Sequence, residues 1–451
     1  MKKIVIIGLG HGGLSAAIKL AKDYDITIYE KNAKEDIAYP WEDDIRLDIF
    51  GRLGLPEPDA ALYNQKTQRC FVAPNMTDYL PLPKGKPMED ISIDRKGLLQ
   101  HLIALAEAAG AKVVYETPVE ELIVDGNTVT GVRVGGENVK ADLVVDASGY
   151  HSPFRGQVPK KFGMQAEPAP DDTMCVYRAY YEKTPGTETP HPERHYCLLH
   201  QGGAGLSWCN VNNHDQVDIL IGRIGKLTEE QVRAAEADLK LHNDTFSDQV
   251  ILPGRIVDIS LRNTISIMVA DGFALVGDSA FMTMPFMGSG IEASLLAGTL
   301  LADCVKDAAG FTAKDLWPYQ VAYYKEQGAS YAFIDILKRW VLFLDSEWMN
   351  WLLGCGAVKP EDMLMVSTSK DSKFSLTPKD ILERLAILTK RPEIIGSAVK
   401  CALHGVLMLL VAKNIPANYN EKTLALWRKC YDGLVPHKTE FPIRPFSSLQ
   451  L

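Results

Sequence analysis

At 451 residues the chain exceeds what one hydrophobic core normally holds, so two or three domains are expected. Its 46% hydrophobic and 23% charged residues are ordinary for a globular enzyme, and a formal net charge of -9 argues against the basic face of a general nucleic-acid binder. The eight cysteines are scattered, with no C-x-x-C pair and no metal-ligand spacing, which fits free thiols in a reducing, cytoplasmic compartment and speaks against an iron–sulfur cluster held by this chain.

The first element is an apolar strand, Lys3 to Ile7, of the kind buried on both faces of a parallel sheet. It runs straight into a Gly-rich turn, so we read it as a core strand and not as a signal segment. A helix from Gly12 to Lys22 and a second strand from Asp25 to Glu30 follow. From Lys31 to about Met88 the pattern breaks down into an excursion away from the sheet. Asp94 opens an amphipathic helix with Leu98, Leu102, Leu105 and Ala109 on one face and Gly110 as its C-cap. Asp125-Gly126-Asn127 predicts a hairpin turn, and ADLVVDASG returns to the buried parallel pattern.

From about Lys160 to Arg262 apolar residues alternate, which predicts an antiparallel sheet with one helix, TEEQVRAAEADLK, set into it. FALVGD rejoins the parallel sheet, and a helix starts near Gly288. Beyond Phe311 the chain reads as helical. Phe333, Ile336, Leu337, Trp340, Val341 and Leu344 repeat at helical spacing, as do Leu403, Val406, Leu407, Leu410 and Val411. No uninterrupted apolar run reaches bilayer-spanning length, which leaves surface association with a membrane open.

The Gly-rich turn is G-x-G-x-x-G at Gly8, Gly10 and Gly13, between a strand and a helix. The first glycine makes the turn, the second admits a pyrophosphate, and the third allows close helix–strand packing. The helix N-terminus would face the phosphates. Glu30, about 20 residues on, is placed to accept both ribose hydroxyls of an adenosine. His11 is expected to be an exposed loop residue.

Two later stretches resemble motifs of one flavoprotein superfamily. ADLVVDASGYHSPFR resembles the D-G-x-x-S-x-x-R turn of flavin-dependent aromatic hydroxylases, with Gly149, Ser152 and Arg155 in place and Ser148 where aspartate is usual. DGFALVGDSAFMTMPFMGSGIEASLLAG resembles the G-D motif that contacts the flavin ribityl chain. The resemblance implies FAD. Asp278, after Gly277, would accept from a ribityl hydroxyl. Pro285, Gly288, Gly290 and Ile291 would form the loop and helix start beside the flavin ring. It also places Arg95 near the FAD phosphates, with Arg46 a weaker candidate of the same kind.

GSGIEASLLAGTLLAD is most similar to the pattern of geranylgeranyl reductase-like flavoproteins, which saturate isoprenoid double bonds. The resemblance implies hydride transfer from reduced flavin to a C=C bond of an apolar substrate. YPWEDDIRLDIFGRLGLP lacks the Cys-containing loop of those reductases, and GLSWCNVN has one tryptophan and no W-x-W-x-I-P motif of halogenases. Two alternatives use the same fold: a flavin-dependent monooxygenase hydroxylating an aromatic small molecule, and a non-catalytic lipid-escort protein. No second dinucleotide fingerprint exists, so NAD(P)H would act transiently or a protein would donate the electrons.

The expected fold class is α/β: a Rossmann-type FAD-binding domain with an inserted antiparallel-sheet substrate domain and a helical C-terminal region. FAD-binding segments are placed at 1–50, 91–159 and 263–310, a substrate-side excursion at 51–90, the antiparallel domain at 160–262 and the helical region at 311–451. No catalytic acid or base is named and no metal is expected. Trp208, Tyr177, Tyr180 and Tyr181 are read as sheet core or surface, and His151 as a solvated loop histidine. A long apolar channel bordered by Tyr331 to Gly354 would favour an isoprenoid substrate, and a small cavity lined by the sheet alone, with these helices packed elsewhere, would favour a compact aromatic one.

Overall fold

The computed structural model describes residues 1–65, 70–81, 90–188, 195–212, 214–367, 377–435, 441, 443 and 446. Five runs, Lys3–Ile7, Asp25–Tyr29, Lys112–Val114, Leu143–Asp146 and Phe273–Leu275, form a parallel sheet in which Leu143–Asp146 pairs with Phe273–Leu275. The hairpin partner Val269–Ala270 closes one edge antiparallel. Lys3–Ile7 lies inside this six-stranded sheet, with Leu143–Asp146 on one side and Asp25–Tyr29 on the other. That position explains its near-continuous apolar sequence, because both faces are covered. Helices His11–Leu20, Arg95–Ala109 and Ile291–Asp307 cover one face, the first packed between the other two. As expected, Asp94 caps its helix, accepting from the amides of Lys96 and Gly97, and Gly110 ends it in the left-handed region.

The alternating segments form a seven-stranded sheet. Its order is Phe246–Ser260, Thr173–Lys183, Gln216–Ile224, Leu206–Val211, His195–Leu198, Cys70–Val72 and Tyr79–Pro81. The last two strands come from the excursion after Glu30, and Cys70–Val72 runs parallel to His195–Leu198. Glu42–Arg46, Tyr63–Gln65 and Asp90–Asp94 make a small third sheet that passes between the two large ones in sequence. The helix Glu229–Leu241 begins at a capping box of Thr228 and Gln231 and buries Val232, Ala235 and Leu239.

The C-terminal region is helical. Its helix Ala329–Val341 carries charges inside the protein. The charges on its polar side, Asp335, Lys338 and Arg339, are buried and not solvated. Asp335 pairs with Lys338 (2.7 Å) and with Arg339 (3.1 Å). Arg339 also reaches Asp172 (2.6 Å), which in turn holds Arg262 (3.1 Å). The apolar side is covered by the later helix Pro392–Lys413, where the Phe333 ring fills the space beside Gly405. Both faces are therefore internal. Pro392–Lys413 bears on the expectation that no uninterrupted apolar run spans a bilayer. It has 22 residues, and 18 consecutive ones reach a mean hydropathy of 2.0, enough by length and composition alone to cross a bilayer, but Lys400 interrupts the run.

Candidate functional site

The glycine turn is built around one backbone group, the carbonyl of Ala147 at the end of strand Leu143–Asp146. A Cβ on Gly8 would stand 2.9 Å from that oxygen, and one on Gly10 only 2.6 Å. Gly8 also has φ +84°, a conformation that disfavours any side chain. A Cβ on Gly13 would meet Ala147 Cβ and Ile6 Cγ2, each at 2.8 Å, which is the close helix–strand packing expected there. Gly10 is thus required by the protein's own backbone, whatever ligand approaches it. Glu30 follows the second strand and is buried. Its carboxylate accepts from the amides of Leu9 (3.2 Å) and Asn32 (2.8 Å), which hold it beside the glycine turn.

The second motif locks the third. Asp146 accepts from the Ser148 amide and hydroxyl and from the Ser152 hydroxyl. Burial pushes its carboxyl up, and those three bonds oppose the shift. Arg155 is buried and donates to the carbonyls of Ser279 (2.9 Å), Tyr150 (2.9 Å) and Ala166 (3.0 Å). Its guanidinium therefore fixes the turn that carries Gly277 and Asp278. Gly149, at φ +94°, leaves open space where a side chain would stand.

Asp278 accepts from Thr283 Oγ1 (2.6 Å) and faces Gly290, whose added Cβ would come within 3.1 Å of its Oδ1. Pro285 lies in the buried loop between them, closed by the Gly288 amide donating to Met284 O (3.0 Å). Gly290 precedes the helix starting at Ile291, and no side chain caps it. The same holds for Gly10 and the helix starting at His11. Two helix N-termini are thus left with uncapped amides, a favourable environment for anionic groups.

His11 departs from expectation. Its Nε2 is buried without a hydrogen-bond partner. Burial, then the nearby Arg95 charge, lowers its pKa to about 4, so the ring is neutral near pH 7. Arg95 lies beside it and pairs with Asp43 (2.9 Å). Arg46 does not share this position. It is buried against Glu292, which accepts from its backbone amide (2.9 Å) and its guanidinium (3.2 Å). It ties the small sheet to the start of the helix Ile291–Asp307.

Some of these groups border a cleft between the parallel sheet and the antiparallel one, whereas Gly8, Gly10, Glu30, Gly149, Arg155 and Pro285 do not line it. His11, Arg95, Asp278 and Gly288 to Ile291 form one side. Met174, Val176, Leu220, Val257 and Ile259 give an aliphatic face from the large antiparallel sheet. Tyr39, Trp41, Tyr196 and Trp208 make an aromatic end, with Tyr39 stacked on Trp41 at 4.7 Å. Arg178 sits between the Trp41 and Trp208 rings, 5.4 Å from each, and pairs with Asp218 at 2.6 Å. Trp208 Nε1 is buried with no partner.

Sequence reading put Trp208 in the sheet but missed Trp41 and Arg178 as cleft residues. The alternation around Arg178 was visible, whereas its contact with Trp41 depends on tertiary folding. Tyr180 and Tyr181 serve the sheet. Tyr180 Oη accepts from the Glu42 amide (2.9 Å), and Tyr181 Oη donates to Glu236 (2.6 Å). His151 is exposed and meets Asp258 (3.1 Å). No residue from Tyr331 to Gly354 lines the cleft, so those helices do not wall a tunnel there.

A strand–glycine turn–helix with its carboxylate, together with two distant turns joined by Arg155, defines a flavin-dependent oxidoreductase. A family model described as "FAD binding domain" matches residues 1–303, and the chain belongs to that family. FAD is its cofactor. The chain is 23% identical to a digeranylgeranylglycerophospholipid reductase of Sulfolobus acidocaldarius over 97% of each protein. Its fold is similar to that of a geranylgeranyl bacteriochlorophyll reductase-like protein of Thermoplasma acidophilum, with a TM-score of 0.71, 18% identity, and coverage of 89% of this chain and 100% of that one. A flavin-dependent halogenase aligns with a TM-score of 0.60 and 18% identity, over 96% of this chain and 78% of the halogenase.

Proposed function

We propose that this flavoenzyme reduces a carbon–carbon double bond in an apolar, isoprenoid-bearing substrate. The observation that carries the reading is the aliphatic face of Met174, Val176, Leu220, Val257 and Ile259 opposite the loop Gly288 to Ile291, in a chain alignable end to end with a reductase of isoprenoid lipids. The glycine turn and Glu30 would hold the adenosine end of FAD. Arg95 and the two uncapped helix starts would meet its phosphates and flavin, and Asp278 its ribityl chain. Gly149 would leave room beside them. Bound there and reduced, FAD would supply the hydride to one alkene carbon, and a proton drawn from solvent would complete the other. The aliphatic face holds the alkene and excludes water. NAD(P)H acting transiently, or a protein donor, would provide the electrons. The same reading divides the chain into FAD-binding segments 1–50, 91–159 and 263–310 around an antiparallel substrate domain at 160–262. All eight cysteines are unpaired, which suits a reducing, cytoplasmic setting.

The aromatic end of the cleft favours a second reading, hydroxylation of a compact aromatic substrate. One experiment separates them. Reduce the flavin anaerobically, then follow its re-oxidation on adding an isoprenoid alkene or, separately, dioxygen with a phenol. Re-oxidation by the alkene with a saturated product supports the reductase. A hydroxylated phenol, with no response to alkene, would replace it by the second reading.

A further inference from the structure

The helix Pro392–Lys413 has two unlike sides. Ile394, Ser397, Cys401, Gly405, Met408 and Ala412 are buried and recur at helical spacing against Ala329–Val341. Ser397 Oγ accepts from Trp340 Nε1 (2.9 Å), and Phe333 fills the gap beside Gly405. The opposite side carries Val399, Leu403, Val406, Leu407 and Leu410, all exposed, with Leu403 at 68%. These five fall on one arc of the helix, and five large aliphatic side chains facing solvent in one row are unusual for a surface helix. The helices packed beside it expose Leu382 and Leu385 on one and Leu426 on the other.

On this helix and at its start, basic residues outnumber acidic ones. Lys390 stands just before the helix, and Lys400 and Lys413 lie on it, all exposed. Arg391 is half-buried at its start, over the Phe446 ring. Glu393, in the first turn, is the helix's one acidic residue. A chain with a net charge of -9 thus gathers cations at both ends of its most apolar exposed surface.

We propose that this face docks the enzyme on a bilayer containing anionic lipids, with the helix lying in the interface. Apolar side chains on one side, flanked by lysine and arginine, are what such a surface recognises. A spanning helix would have to leave Ala329–Val341 and break the Ser397–Trp340 bond. A second copy of the chain fits less well, because pairing of this helix with itself sets cations against cations in either orientation. The proposal does not depend on the reductase reading, and its test contains no turnover.

The FAD-loaded protein is floated on a density gradient with vesicles of phosphatidylcholine alone, or with about one third phosphatidylglycerol. Capture by the anionic vesicles is expected, several-fold above the neutral ones. Leu403→Glu with Leu410→Glu should lower it by about tenfold or more while the protein stays yellow. Lys390→Ser with Lys413→Ser, which touches no packed side chain, should bring capture on anionic vesicles towards the neutral level and carries the test if the first variant misfolds. Wild-type protein that stays in solution with both vesicles overturns the proposal, as does equal capture of wild type and both variants. Light scattering that finds a dimer abolished by the leucine changes, without vesicle capture, would assign the face to self-association instead.

Discussion

Glu30 and His11 sit on either side of the glycine turn and make different demands on it. The Glu30 carboxylate is already oriented by two amides. Glu30→Ala removes a charged acceptor for the ribose and should weaken FAD binding by about 1.5–3 kcal/mol, roughly ten- to a hundredfold. Titration of the apoprotein with FAD measures this, and unchanged affinity would remove Glu30 from the cofactor site. His11 gives a pH dependence. Its folded pKa of about 4 lies below the ordinary imidazole value of 6.5, so the unfolded chain takes up the proton first as pH falls. The stability tied to the neutral ring is complete above pH 6.5 and is lost as pH falls towards 4, about 3 kcal/mol at most. In His11→Asn the denaturation midpoint should fall less steeply across that window than in the wild type. Parallel profiles would show that burial leaves His11 free to ionise. Glu30 was legible because its spacing from the glycines is covalent arithmetic. The burial of His11 was not, since it depends on Arg95 and Asp43, which arrive from other parts of the chain.

At the scale of elements, the first helix and Ile291–Asp307 cross at a point where neither has room for a side chain. A Cβ on Gly298 would stand 2.0 Å from the Gly12 carbonyl, and one on Gly12 would stand 2.9 Å from Ser294 O. Ser15 Oγ adds a hydrogen bond to Leu295 O (2.9 Å) at the same crossing. This contact sets the distance between the adenosine half of the site and the loop at Gly288. Gly298→Val should cost about 1–3 kcal/mol or more through overpacking and should loosen FAD as well. Thermal melting with a measurement of released flavin tests both, and a variant that melts lower yet keeps its flavin would uncouple the crossing from the site. The small residues of this helix were visible in the sequence. Most strands of the two large sheets were too, because burial on two faces and burial on one leave different periods, but the short strands between Glu42 and Pro81 were not. Ala329–Val341 was legible only in part, because periodicity detects an apolar row and does not say whether the other side is solvated or paired inside the protein. A charged side that finds counter-ions inside the protein has the same pattern.

For the whole molecule, the charged side of Ala329–Val341 joins three parts of the chain. Asp172 precedes the first long strand of the antiparallel sheet, Arg262 follows its last strand, and Asp335, Lys338 and Arg339 belong to the C-terminal region. Burial alone would raise the Asp335 carboxyl, but Arg339 and Lys338 hold it below the usual carboxylate range. Lys338 is lowered by burial to about 8, against the pull of Asp335, and also donates to Leu261 O. Two carboxylates therefore serve three cations, and each carboxylate bridges two of them. Such a cluster adds little stability over an apolar core, yet it is costly to break from one side. Asp335→Asn leaves Lys338, Arg339 and Arg262 with Asp172 alone and should cost about 3–5 kcal/mol. Lys338→Met removes a cation instead and leaves each carboxylate an arginine, so its cost should be clearly smaller. Urea midpoints of the flavin-loaded variants at fixed FAD concentration compare the two. If Lys338→Met were the more damaging, the amine's bond to Leu261 and not the balance of charge would be what joins the C-terminal helices to the antiparallel sheet.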